Sequence, residues 1–187
     1  MSEPAAPIKP SAADVLAFWL AAGHKRWFEH DDAFDAAIRA RFAATYEDAA
    51  AGLLNKWEDD PQGALALVIV LDQFPRNMFR GSERSFATDA LARATAERAI
   101  TRGFDQKTAM PERGFFYLPF EHSEALADQD RSVALFGATG DADSMKWAEL
   151  HADIIRRFGR FPHRNALLGR SSTPEEQVFL NAGGFAG

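Results

Sequence analysis

Residues 60–80 read DPQGALALVIVLDQFPRNMFR, and the choice of fold turns on them. Ala64 through Leu71 is an unbroken apolar run of eight residues that stops abruptly at Asp72-Gln73-Phe74-Pro75-Arg76-Asn77. An element that is apolar on every side must be covered on every side, so this stretch belongs at the centre of a core. Taken alone, the run also fits a buried parallel strand. The mixture of Ala and Leu with Val and Ile, and the lack of a convincing partner strand, favour a helix. Asp60-Pro61 agrees, placing a capping carboxylate before a proline at the first helical position. Because the residue before a proline avoids the helical region, this helix is expected to stop or kink near Phe74.

Working outward, Ser11 and Asp14 form a capping-box pattern ahead of Val15, Phe18, Trp19 and Ala22, a helix that Gly23 ends. Asp31 or Asp32 caps a second helix whose Phe34, Ile38, Phe42 and Tyr46 recur at i+4 before Gly52 closes it. An Ala-rich helix over 86–102 ends at Gly103. Pro111 and Glu112 open a helical stretch that Pro119 interrupts, and Leu126, Gln129, Val133 and Phe136 then resume it. Over 143–158 the residues Trp147, Leu150, His151, Ile154, Ile155 and Phe158 trace one apolar stripe. Thr173-Pro174-Glu175-Glu176 caps a short last helix through Leu180.

These signals predict an all-α fold of seven to eight helices and no sheet, with antiparallel pairs stacked as a bundle or as helical-repeat layers. Residues 1–10, with three prolines, read as a flexible arm, 11–182 as a single domain and 183–187 as a tail that frays. A strict tetratricopeptide pattern is not visible at its period of about 34 residues. The four tryptophans read as core or as the floor of a groove, Trp27 having the weakest claim to burial.

The 187 residues carry no cysteine, which removes disulfides, Cys-ligated zinc and thiol nucleophiles together. A formal charge of −6 disfavours nucleic acid, which needs a basic face. The first residues lack an apolar signal-peptide core, and an eight-residue apolar run is far short of a membrane span. The expectation is a soluble cytoplasmic protein. The residues are silent on oligomeric state.

Two helix ends echo each other: Phe74-Pro75-Arg76-Asn77 and Phe161-Pro162-His163-Arg164-Asn165. If each proline opens a short helix, free N–H groups lie beside an arginine whose planar fork suits carboxylate or phosphate. Against this stands a plain reading in which Arg76 and Arg164 pair with core carboxylates, Asp72, Glu121 and Glu124 being available. A third polar cluster, Pro119-Phe120-Glu121-His122-Ser123-Glu124, holds groups for acid–base work. Its spacing is not that of a metal site, and the five histidines are scattered. The bland expectation for His122 is a hydrogen bond to an interior carboxylate or backbone group, and for His151 a satisfied place in the core. Neither a nucleophile elbow nor a Gly-rich phosphate loop occurs, and no cofactor or metal is called for.

The motifs together resemble a known family. VLAFWL, ALALVIVLDQFPRNMFRG, FATDALA, ERGFFYLPFEHSE with DQDRSVALF, and RRFGRFPHRNALLGRSSTPEEQVFL run in order through nearly the whole chain. In this the sequence resembles the bacterial domain of unknown function 924. The resemblance implies a right-handed, tetratricopeptide-like stack of antiparallel helix pairs, and brings no established reaction. Glu121 departs from the expected pattern, where Met or another residue stands as often; His122, Ser123 and Glu124 match it.

The candidate ligand-binding residues are therefore Asp72, Arg76, Asn77, Arg113, His122, Glu124, Arg160, His163 and Arg164, lining a pocket where broken helices meet. The expected ligand is a small anionic metabolite, a phosphate or carboxylate, bound and also turned over if His122 or His163 acts as general acid–base. Two alternatives stand beside it. One is a helical-repeat module that grips a peptide or protein. The other is that the clusters are purely structural ion-pair locks.

Overall fold

The computed structural model describes residues 9–185. Among them are eight α-helices and no strand: α1 (Ala12–Phe28), α2 (Asp32–Ala50), α3 (Pro61–Met78), α4 (Asp89–Thr101), α5 (Leu118–Glu121), α6 (Leu126–Gly137), α7 (Ala142–Phe158) and α8 (Pro174–Asn181). Helix α3 is the hub, packed against α1, α2 and α4, while α6 and α7 pack on each other. Every residue from Gly63 to Pro75 is buried, as an all-round apolar helix requires. The main core, with Trp19, Phe42, Phe74, Phe116 and Phe120, surrounds it. Residues 1–8 of the expected arm lie outside the described residues, and Lys9 pairs with Asp48.

Some expectations give way to the structure. Helix α3, expected to stop or kink near Phe74, does not stop there but continues through Pro75 to Met78. Proline withholds the N–H that Leu71 would otherwise accept from, and Thr88 Oγ1 donates to that carbonyl at 2.6 Å instead. Arg76 Nη1 similarly donates to the Asp72 carbonyl at 2.6 Å. Trp27, expected to be the least buried tryptophan, is only 8% exposed and donates from Nε1 to the Trp19 carbonyl at 2.7 Å. Its backbone lies beyond Gly23, whose non-helical φ of +75° and ψ of 168° end the first stretch of α1, as expected, before a second helical stretch carries on to Phe28. The exposed tryptophan is Trp147, half uncovered on α7 together with Leu150. The stripe read on that helix is wider than the face its neighbours cover.

At the far end, α8 closes on a tight reversal. Gly184 N–H donates to the Phe179 carbonyl at 3.0 Å and Gly183 N–H to the Leu180 carbonyl at 3.2 Å, with Gly183 at φ +76°. A Cβ on Gly184 would stand 2.6 Å from the Phe179 backbone oxygen, so only glycine fits. The turn delivers Phe185 onto His151 and His163, with ring centroids 4.5 and 5.2 Å away.

Candidate functional site

Two side chains one turn apart at the end of α3 begin the site. Asp72 and Arg76 project from the same face, which is what i and i+4 spacing dictates. The Asp72 carboxylate is fully buried. It accepts from Gln73 Nε2 at 2.6 Å and from His122 Nδ1 at 2.9 Å, with Arg76 Nη1 at 3.3 Å. Burial pushes its pKa up, but the Arg76 charge and the His122 contact outweigh that and hold it below the usual carboxylate range. Because a carboxylate only accepts, Nδ1 of His122 carries the proton and Nε2 keeps its lone pair. Burial, and then the Arg76 charge, lower the His122 pKa.

Arg76 spends its fork on the first residue of α4: Nη1 and Nη2 reach Asp89 Oδ1 and Oδ2 at 2.9 and 3.1 Å. Arg164 is placed differently. After α7 ends on Gly159, the short turn Pro162–Arg164 brings its guanidinium beside the Phe86 and Phe161 rings, 4.5 Å from each centroid. It is 7% exposed, and Nε is buried without a hydrogen-bond partner among the described residues. The carboxylate within reach is Asp89, at 3.6 Å from Nη1. Burial, and then repulsion from Arg76, bring the Arg164 pKa down to about 10.

A second pair lies behind. Glu121 is buried, and desolvation followed by the Asp72 charge pushes its pKa up to about 8. His151 Nδ1 sits 2.8 Å from the Trp147 carbonyl and 3.2 Å from Glu121 Oε1. A carbonyl accepts only, so Nδ1 bears the proton, and burial drops this imidazole to about 3. His163, also lowered by burial and by Arg164, to about 4, has Nδ1 buried without a partner.

Of the nine candidate residues, the structure brings Asp72, Arg76, His122 and Arg164 together around Asp89, with His163 in the same short turn as Arg164. Glu124 borders them, accepting from Phe161 N–H at 2.8 Å and from the Arg170 fork at 2.7 and 2.9 Å. The other three turn elsewhere. Asn77 donates to Asp35 at 2.7 Å, Arg113 to the Thr108 carbonyl at 2.8 Å, and Arg160 forks onto Glu176 at 2.6 and 2.8 Å. Asn77 and Arg160 find their partners on α2 and α8, and Arg113 finds its own five residues back in the chain. Asp89, Phe86 and Phe161 went unread as site residues, although Asp89 stands inside FATDALA and Phe161 inside the echoed FPHRN.

Two recesses open elsewhere on the surface. One, of about 460 Å³, lies between α1 and α2 over Ala17, Phe18, Ala21, Phe34 and Arg41. The other, of about 290 Å³, is bounded by Arg157, Phe158, Thr173, Glu175 and Glu176. None of the nine candidates lines either one. His30, Asp32 and Asp35 approach one another closely enough to share a cation, but Asp35 is already matched by Arg80 at 2.9 Å and by Asn77.

This geometry is carried by a chain whose residues 15–184 match the family described as bacterial protein of unknown function (DUF924). The chain belongs to the DUF924 family. A solved structure, described as a protein of unknown function, ATU0120, from Agrobacterium tumefaciens, is similar at 47% identity and a TM-score of 0.89. The similarity spans 91% of this chain and 97% of that one. None of the curated proteins matches the chain. Among the described residues of this DUF924 protein, no helix is long and apolar enough to cross a membrane. Buried charged residues joined in ion-pair networks are what its fold holds at the end of α3 and along the segment from 160 to 176.

Proposed function

We propose that the cluster at the end of α3 binds a small carboxylate or phosphate on the Arg164 guanidinium. Arg76 and Asp89 hold the surrounding field, and His122, oriented by Asp72, serves as the acid–base group if the ligand is turned over. One observation carries this reading: a cation nine-tenths buried, with Nε unpartnered and its near carboxylate at 3.6 Å. A buried charge costs several kcal/mol unless it is paired and hydrogen-bonded, and an incoming anion supplies both. In support of a tetratricopeptide-like stack as the scaffold, successive helices contact one another from α2 through α4 and again from α6 to α7.

The test is thermal unfolding of the protein with acetate, inorganic phosphate and divalent metal salts. An anion at about 100 times its dissociation constant adds roughly 2.7 kcal/mol, or about 5–10 °C for a chain of this size. A rise with one anion class that disappears in Arg164→Met supports the site. An identical rise in the variant, or none in either protein, overturns it. A second reading, an ion-pair lock, is favoured by the completed Arg76–Asp89 fork and by recesses that open away from the cluster. It expects no rise with any anion.

A further inference from the structure

Counting charge in the cluster narrows the ligand. Asp72 and Asp89 supply two negative charges, and Arg76 and Arg164 two positive ones. Glu124 is matched by the Arg170 fork. Glu121, buried with no cation in contact, carries its proton at neutral pH. His122 and His151, their pKa values lowered below 6.5 by burial first of all, each keep one ring proton, on the Nδ1 that faces Asp72 or the Trp147 carbonyl. The empty cluster is therefore balanced, and any anion that enters leaves it negative in a place where Arg164 is 7% exposed.

Resting on the anion reading above, we infer that the ligand is a monocarboxylate rather than a phosphate dianion, and that it enters with one proton, which is held on Nε2 of His122. The proton comes from solvent, no covalent bond changes, and the filled cluster returns to neutrality. His122 is the base arranged for it. Its side chain is 15% exposed, so a proton reaches it, and the Asp72 carboxylate 2.9 Å from Nδ1 stabilises the imidazolium that forms. The charged and titratable groups that face it are Asp72 and Arg76 from α3, Asp89 from α4, Glu121 beside it and His151 from α7. Arg76 opposes protonation of the empty site, and a bound carboxylate offsets that opposition.

A dianion needs a second proton, and the other imidazoles are poorly placed to take one. His151 has Nδ1–H committed to Trp147 and is deeply buried, and His163 lies next to the Arg164 charge. One guanidinium with an unpartnered Nε and one oriented imidazole match one carboxylate.

Isothermal titration of the full chain with sodium acetate and with inorganic phosphate, in two buffers of different ionisation enthalpy, tests this. Acetate is expected to take up close to one proton at about pH 7 and, at about pH 8, where phosphate is mostly the dianion, to bind at least about tenfold more tightly than phosphate. Its affinity falls about tenfold for each pH unit above the pKa of the free His122. His122→Gln is expected to abolish the proton uptake, and the wild-type proton count decides the matter if that variant fails to fold. Acetate binding without proton uptake, or tighter binding of phosphate, overturns this inference and leaves the anion site standing. Binding of neither anion overturns both.

Discussion

Arg160 and Arg164 stand four residues apart in one segment and meet opposite surroundings. Arg160 places Nε and Nη2 on the two oxygens of Glu176, and Nη2 also on the Ser171 carbonyl. Glu176 in turn accepts from Asn165 Nδ2 at 3.1 Å and from the Thr173 N–H at 2.7 Å, and the Arg160 fork first, helped by these donors, draws its pKa down to about 2. Arg164 has two aromatic rings, a second arginine nearby and a carboxylate at 3.6 Å. One arginine closes a lock whose donors and acceptors are matched. The other holds a charge in place with its hydrogen-bonding capacity largely unspent. Completeness of pairing, not the presence of a buried charge, is what distinguishes the two arginines.

The strongest way to break the comparison is at the carboxylate that the α3 cluster is built on. Asp72→Ala leaves the Nδ1–H of His122 and the Gln73 amide without an acceptor inside the core, and leaves Arg76 with Asp89 as its one carboxylate. Removing one partner of a buried pair costs about 3–5 kcal/mol, to be read from urea unfolding at pH 7. A loss below about 1 kcal/mol would mean that water already serves these groups and that the cluster is open.

Glu121 gives the next effect, and it is a pH effect. Its carboxyl is raised from 4.5 to about 8 in the folded protein by burial and by Asp72. The unfolded chain ionises first, so the stabilisation is fully present below pH 4.5 and is lost as pH rises toward 8. Glu121→Gln stays neutral throughout and removes that slope. At pH 8 it is expected to exceed the wild type by on the order of a few kcal/mol, and parallel stability profiles from pH 5 to 8 would contradict the assignment.

The two arginine environments are then set against each other. Glu176→Ala strips the acceptor from Arg160, Asn165 and the Thr173 N–H, and is expected to cost about 1.5–3 kcal/mol without altering anion binding. Arg164→Met replaces a poorly matched charge by an apolar chain of similar length between two phenyl rings. Its expected stability is unchanged or up to about 2 kcal/mol higher, with anion binding lost. A large loss in Arg164→Met would make Arg164 a lock like its neighbour.

Much of this was legible in the chain, for identifiable reasons. Helix α3 announced itself because eight consecutive apolar residues, a capping Asp60 and Pro61 agree across levels of description. Asp72 and Arg76 followed from helical spacing, and the expectation that His122 would bond an interior carboxylate is met by Asp72, 50 residues away. What was hidden depends on tertiary neighbours. Pro75 reads as a break until Thr88 is seen supplying the missing hydrogen bond. Arg160 and Arg164 are indistinguishable along the sequence, since Glu176 and Phe86 reach them from α8 and from the turn before α4. Glu121 registered as a departure from the expected pattern, but its burial against His151 lies in packing, not in any local signal.

The smallest effect concerns the tail. Phe185 is carried by the Gly183–Gly184 reversal onto the rings of His151 and His163, and it adds to the minor core of Ile154, Ile155 and Phe161. Its partial burial is worth about 1 kcal/mol, so Phe185→Ala should lower the melting temperature by only about 2–4 °C. The larger signal is local. His163 has a buried, unpartnered Nδ1 and a pKa lowered to about 4 mainly by desolvation, and Phe185 is part of what excludes water from it. Uncovering the imidazole restores hydration to its charged form, so the His163 titration followed by NMR should move up toward 6.5 in the variant. His122, which Phe185 does not contact among the described rings, should titrate as in the wild type. An unmoved His163 would assign its low pKa to Arg164 alone, and would make the tail a cover for apolar surface only, with no hold on the imidazoles beside the site.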